Sequence, residues 1–360
     1  MPADVERFFD AAEAGRWEEL KALWRAIDAG RTNGNSPEGQ WVVLQAVKET
    51  YGVAKVAHDW PAQQLLDYGE AVLGSLRPGM VYVGGTDAGR FIPTLLNETG
   101  DGERHIVLTQ NALADDTYLQ YLGFLYTDQM ATLTSEDSQQ AFQNYIADAQ
   151  KRLTHDQDFP QEAAQVRPGE DIRVTDNRVQ VSGQVAVMLI NENLMNMLVS
   201  KNPSLSFALE ESFPFKSTYA DAAPLGPIME LRAQDGQNAF TADAAARTLD
   251  YWRAATEQLP IGSGAGGNMD VLQAYSKLVA TQAGLLAAHS FNAEAEQAYR
   301  LATEICPSSP EAVLRYVSLL SDQQRFTEAL PVAETAVKAD PDNQQLRNLL
   351  DVLKKRSQAN

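Results

Sequence analysis

The chain has a single cysteine, Cys306, which excludes an internal disulfide. That thiol ends an apolar stretch just before Pro307, the setting of a buried structural cysteine. Histidine is scarce as well. His58, His105, His155 and His289 are scattered, with no His-x-x-x-His and no cysteine pair, so no metal centre is expected. No run approaches the roughly 20 apolar residues of a membrane-spanning helix. Basic residues are outnumbered, 29 Lys and Arg against 48 Asp and Glu, for a formal net charge of −19 at pH 7. Without a long Lys/Arg run the chain is not expected to bind nucleic acid, whose phosphates need a basic face. Catalytic signatures are also missing. There is no Gly-x-Ser-x-Gly nucleophile motif and no phosphate loop ending in Gly-Lys-Ser/Thr. The opening Met1-Pro2-Ala3-Asp4-Val5-Glu6-Arg7 lacks the basic-then-apolar order of a secretory leader. A cytoplasmic location is therefore expected, or an extracytoplasmic one if a leader has been removed.

What is present is a globular composition and a repeat. At 360 residues, 44% hydrophobic and 21% charged, the chain suits two or three domains with proper cores. Near its C-terminus two stretches align at a period of 34 residues, pairing Leu286 with Leu320, Ala295 with Ala329, Ala302 with Ala336 and Pro307 with Pro341. Small residues let two antiparallel helices approach closely, and a proline ends the second. The spacing resembles the tetratricopeptide repeat, which implies stacked helical hairpins and a groove that holds a peptide or partner protein. Two repeats rarely stand alone. The helix around Tyr251 and Trp252, the N-terminal helices or a second subunit would have to support them.

Elsewhere the pattern changes twice. Helical spacing dominates the first 76 residues, with Val5, Phe8, Phe9 and Ala12, then Trp17, Leu20, Leu23 and Trp24, on single faces. From Arg77-Pro78-Gly79 a short apolar strand runs into Gly84-Gly85-Thr86-Asp87, then a helix, then a second strand at residues 105–109. Strand, helix, strand at this length predicts a βαβ unit with a parallel sheet. Alternation at Ile172 and Val174, and again at Val179 and Val181, predicts a hairpin turning at Asp176-Asn177. Further strands are expected at residues 205–209 and 228–231, and the Gly-rich stretch 262–267 reads as a linker. The fold class expected is α/β plus all-α: an N-terminal helical segment (1–76), a Rossmann-like three-layer α/β domain (77–235), a helix and linker (236–268), and tetratricopeptide-like repeats with a capping helix (269–360).

The middle region resembles the soluble part of bacterial membrane proteins related to protein O-mannosyltransferases, the DUF2723 family. The resemblance rests on Val81-Tyr82-Val83-Gly84-Gly85-Thr86-Asp87, on Ile190-Asn191-Glu192-Asn193 leading to Phe207-Ala208-Leu209, and on Pro224-Leu225-Gly226-Pro227-Ile228-Met229-Glu230-Leu231. The family's transmembrane catalytic part has no counterpart in this sequence, so transferase activity is not implied.

Three places carry candidate chemistry. At Gly84, Gly85, Thr86, Asp87, Gly89 and Arg90, glycines after a strand allow close backbone approach, and the helix N-terminus attracts anions. Arg90 would face a phosphate or carboxylate; the competing reading is a structural turn capped by Thr86 or Asp87. Thr109 and Asn111, with Gln110, Asp115 and Asp116 nearby, offer hydrogen bonds to a sugar or serve as caps. Glu210 and Glu211, with Lys216 and Tyr219 downstream, suit acid/base work or a buried contact. No catalytic residue is identified and no cofactor is expected. The favoured expectation is a non-enzymatic interaction protein that holds a protein or peptide in the repeat groove, with self-association as a further possibility. The alternative is an enzyme or sensor that binds a nucleotide or sugar-phosphate at residues 84–90, connected with glycosyl transfer.

Overall fold

A computed structural model describes residues 2–32, 41–167, 169–175, 178–211, 216–231, 240–259, 261 and 268–359. The turn at Asp176-Asn177, the segment Phe213-Pro214-Phe215 and the Gly-rich stretch 262–267 lie outside them. The elements run α1 (Ala3–Glu13), α2 (Trp17–Thr32), α3 (Trp41–Asp59), α4 (Ala62–Leu73), β1 (Val81–Gly84), α5 (Ala88–Thr99), β2 (Ile106–Thr109), α6 (Asp116–Tyr126) and α7 (Ser135–Asp158). They continue with β3 (Asp171–Thr175), β4 (Arg178–Ser182), α8 (Gln184–Lys201), β5 (Phe207–Leu209), β6 (Ala222–Leu225), β7 (Ile228–Leu231) and α9 (Ala242–Glu257). The chain closes with α10 (Met269–Ala288), α11 (Asn292–Ile305), α12 (Pro310–Asp322), α13 (Phe326–Ala339) and α14 (Gln344–Ala359).

The protein is mixed α/β and mostly helical, with one small mixed sheet in the order β2-β1-β5-β7-β6 and a separate β3–β4 pair. Strand β7 runs antiparallel to both β5 and β6, an arrangement absent from the expected parallel sheet. Strand β6 was not expected at all. Pro224 and the polar residues before it mask its period, and its register comes instead from the two-residue turn at Gly226-Pro227. Gly226 makes that turn at φ +57°, a conformation that side-chain-bearing residues avoid. Helix α7 runs on through His155 to Asp158, because nothing there breaks the helix before Phe159. Among the described residues no helix is long and apolar enough to cross a membrane.

Two compact units alternate along the chain. One comprises Met1–His58, Val83–Thr94 and His105–Leu205; the other comprises Asp59–Tyr82, Leu95–Arg104 and Ser206–Asn360.

In the first unit, α1 and α2 form a hairpin around Val5, Phe8, Ala11, Leu20 and Leu23, with Val47 of α3 in the same core. Gly15, at φ +65°, reverses the chain. Beside this core runs a row of stacked rings: Trp24 on Tyr51 (4.7 Å), Tyr51 on Trp17 (5.7 Å) and Trp17 on His58 (4.7 Å). Helix α7 opens with a reciprocal cap between Thr134 and Asp137 and packs along α8. Near its end Arg152 reaches the carboxylate of Glu170, a side chain fully buried, whose other partners include Arg167, through its amide and guanidinium, and the Tyr145 hydroxyl. Burial alone would raise the Glu170 carboxyl, but these donors outweigh it and hold the pKa at about 2. Burial and the same carboxylate push the Tyr145 phenol up to about 12.

In the second unit, Val81 donates to Ser206 at 2.9 Å and Arg77 pairs with Glu230. Helix α10 packs on β6 and β7, and α9 packs on α10 and α11. Helix α9 carries Tyr251 and Trp252, and Trp252 is buried. Ala295, Ala302, Ala329 and Ala336 are all buried. Cys306 is buried beside Met269, its sulfur 3.8 Å from the thioether.

Candidate functional site

In the first unit, the end of β1 turns directly into α5. A side-chain carbon at Gly84 would stand 2.8 Å from Arg90 Cβ and 3.0 Å from its Cα, so only glycine permits this approach. Asp87 caps the helix. Its Oδ1 accepts from the Gly89 amide at 3.0 Å, and its carbonyl accepts from the Arg90 and Phe91 amides. Gly85 and Gly89 are buried, whereas Thr86 and Asp87 are exposed.

Arg90 is not presented to an incoming anion. Only 6% of it is exposed, its Nη2 lies 3.4 Å from Glu49 Oε2, and its guanidinium sits over the Phe91 ring at 4.4 Å. The other oxygen of Glu49 accepts from Gln45 at 2.7 Å. Arg90 Nε is buried and has no acceptor. Of the phosphate or carboxylate that Arg90 was expected to face, the structure supplies a carboxylate of its own, Glu49 of α3, which the local motif does not reveal.

The same unit brings Thr109 into this neighbourhood through Tyr118. The Thr109 amide donates to the Tyr118 hydroxyl at 2.7 Å, and the charges of Arg90 and Glu49 are both felt at that phenol. Burial, the leading cause, drives the Tyr118 pKa well above the usual tyrosine range. Thr109 Oγ1 accepts from the Asn111 amide at 3.2 Å and caps a short 3-10 turn, Gln110–Ala112. Asn111 is tied down in turn, because Asn191 of α8 donates to its carbonyl while accepting from the Ala114 amide. Asp115 caps α6 by accepting from the Thr117 amide, and Asp116 is exposed in its first turn. At both Thr109 and Asp115 the capping reading holds.

In the second unit, Glu210 and Glu211 follow β5 and are almost fully buried. Their cation is Lys277 of α10, with Nζ 3.5 Å from Glu210 and 3.2 Å from Glu211. Lys216 falls in the 3-10 turn Lys216–Asp221, and its side chain lies outside the described residues. Tyr219 is turned into the helices: its hydroxyl donates to the Thr281 carbonyl at 3.3 Å, and its own carbonyl accepts from His289 Nε2 at 2.7 Å. Arg315 of α12 donates to Thr281 Oγ1 at 3.3 Å. Burial opposes the charge on Arg315, but Tyr219, Tyr299, Glu311 and Glu211 outweigh it and raise the pKa.

The spacing of 34 residues gives these contacts a pattern. Lys277, Thr281 and Gly284 correspond to Glu311, Arg315 and Ser318, and then to Gln345, Leu349 and Val352. The first set is covered by the protein's own Glu210, Glu211 and Tyr219. Of the later positions, Ser318 is exposed and Val352 is 48% exposed. Helices α12 and α14, which carry them, pack together.

Sequence reasoning named Arg90, Thr109, Asn111, Glu211 and Tyr219. It missed Glu49, Tyr118, Asn191, Lys277, Thr281 and Arg315. Each of these sits in the regular stripe of a helix, where nothing local separates a partner from ordinary surface. Comparison with known protein families, with curated proteins and with solved structures finds no match to this chain.

Proposed function

We propose that the chain is a non-enzymatic interaction protein of scaffold or adaptor type. In this reading α10–α14 are tetratricopeptide-like, and β1, α5 and β2 are a Rossmann-like βαβ unit. The hollow of the helical array is filled at its α10 end by the protein's own acidic strand end and Tyr219, while its α12–α14 end is left for a partner. One observation carries this: Val352 is exposed at the position equivalent to Gly284, against which Tyr219 packs. Saturation of the ionic groups by one another supports a binding role over catalysis. Arg90 is engaged by Glu49, Asp87 by its helix, and Lys277 by two glutamates. The test is affinity capture with cross-linking on the full chain and on Val352→Asp. Partners retained by the parent protein and lost from the variant support the reading; identical partner sets refute it.

A second reading has its own support. Arg90 Nε, buried without an acceptor, favours a small polar ligand beside residues 84–90. A thermal-shift comparison of the full chain with Gly85→Val tests it, since ligand stabilisation should appear in the parent protein alone.

A further inference from the structure

We infer that the ligand of the second reading, on which this step rests, is a neutral polyhydroxy compound of the saccharide class rather than a nucleotide or sugar-phosphate. Two observations within the first unit lead there. The anion-binding capacity of the α5 N-terminus is already used, because Asp87 receives the Gly89, Arg90 and Phe91 amides through its side chain and carbonyl. The cation of the loop itself is neutralised, because Arg90 lies 3.4 Å from a Glu49 carboxylate that is itself only 13% exposed. A phosphate would therefore meet Glu49 and Asp87 with no uncompensated positive charge in return.

What the site does offer is a mixture of neutral and mutually balanced polar groups. Arg90 Nε needs an oxygen acceptor, and it is the only guanidinium nitrogen among the described residues that is buried without one. Glu49 accepts, with one oxygen committed to Gln45 and the other held at 3.4 Å, longer than a charge-assisted hydrogen bond prefers. A sugar hydroxyl both donates and accepts, so a pair of adjacent hydroxyls matches a guanidinium–carboxylate pair without adding charge. Tyr118, held by the Thr109 amide, keeps its phenol neutral across the physiological range and adds no competing anion.

Saturation-transfer NMR and isothermal titration on the full chain test this, with glucose, galactose and mannose, their 6-phosphates, and inorganic phosphate as probes. At least one neutral hexose should bind about ten-fold more tightly than its phosphate, a factor of ten being about 1.4 kcal/mol. Glu49→Gln should reverse the order by exposing the charge of Arg90, giving binding of inorganic phosphate that the parent protein lacks. A parent protein that prefers the phosphorylated sugar overturns the saccharide assignment. So does a parent protein blind to all hexoses beside a Glu49→Gln variant that binds phosphate, although that result keeps the site itself. No binding by either protein ends the second reading altogether. If Glu49→Gln does not fold, the preference of the parent protein decides alone.

Discussion

The hydroxyl of Tyr219 stands 2.6 Å from the point a side-chain carbon on Gly284 would occupy, and the Tyr299 hydroxyl stands 3.4 Å from it. Gly284 lies deep inside α10, where glycine costs about 1 kcal/mol relative to alanine. The helix accepts that penalty because the tyrosine must reach the backbone to bond Thr281. Gly284→Ala should therefore destabilise the protein, by about 1–2 kcal/mol in denaturant unfolding, despite its better helix propensity. Combined with Tyr219→Phe, the same alanine should cost less than it does alone. Simple additivity of the two changes would show that the close approach is not what excludes a side chain.

Lys277→Met should be far more harmful. It takes from two buried carboxylates the ammonium that lies within 3.5 Å of each, and loss of one partner from such a group costs roughly 3–5 kcal/mol. Replacing both glutamates with glutamine in the same variant should restore much of the loss. Calorimetry on the single, double and triple variants measures this.

Glu170 gives the first unit an acid-sensitive joint. Its folded pKa, about 2, lies below the ordinary 4.5, so the stabilisation is complete above about pH 4.5 and fades as the pH falls towards 2. After allowance for solvent screening this amounts to on the order of 1–2 kcal/mol. Glu170→Gln should lower stability at neutral pH and flatten the acid limb of a urea-unfolding series. An unchanged acid limb would place that dependence elsewhere.

Gly226→Ala meets two obstacles. A left-handed backbone costs a residue with a side chain about 1–2 kcal/mol, and the new carbon would stand 2.2 Å from Ser75 Oγ. Adding Ser75→Gly should recover the contact part and leave the backbone part. Thermal unfolding of the two variants separates them.

Much of the architecture was legible. Helices α11 and α13 showed in Ala295, Ala302, Ala329 and Ala336, small residues at helical spacing that are all buried. The strands at β1 and β2 and the β3–β4 hairpin announced themselves by apolar runs and alternation. Strand β6 did not, because a strand containing Pro224 is defined by its neighbour β7 rather than by its own residues. The site was legible by half. Loop residues such as Asp87 and Thr109 advertise their geometry through glycine and capping chemistry. Glu49 and Lys277 do not, because a charged residue on a helix looks the same whether it meets solvent or a buried partner far along the chain. The counterions of Arg90 and Glu211 lie on α3 and α10, where no local pattern announces them.

The row of rings on α2 and α3 has a practical consequence. Two indoles coupled through Tyr51 give the N-terminal hairpin an optical voice of its own, since stacked chromophores couple and shape near-ultraviolet dichroism. Trp252, buried on α9, belongs to the other unit and emits from a different setting. The loss of the near-ultraviolet dichroism that this row contributes thus marks the opening of the N-terminal hairpin, with no label attached.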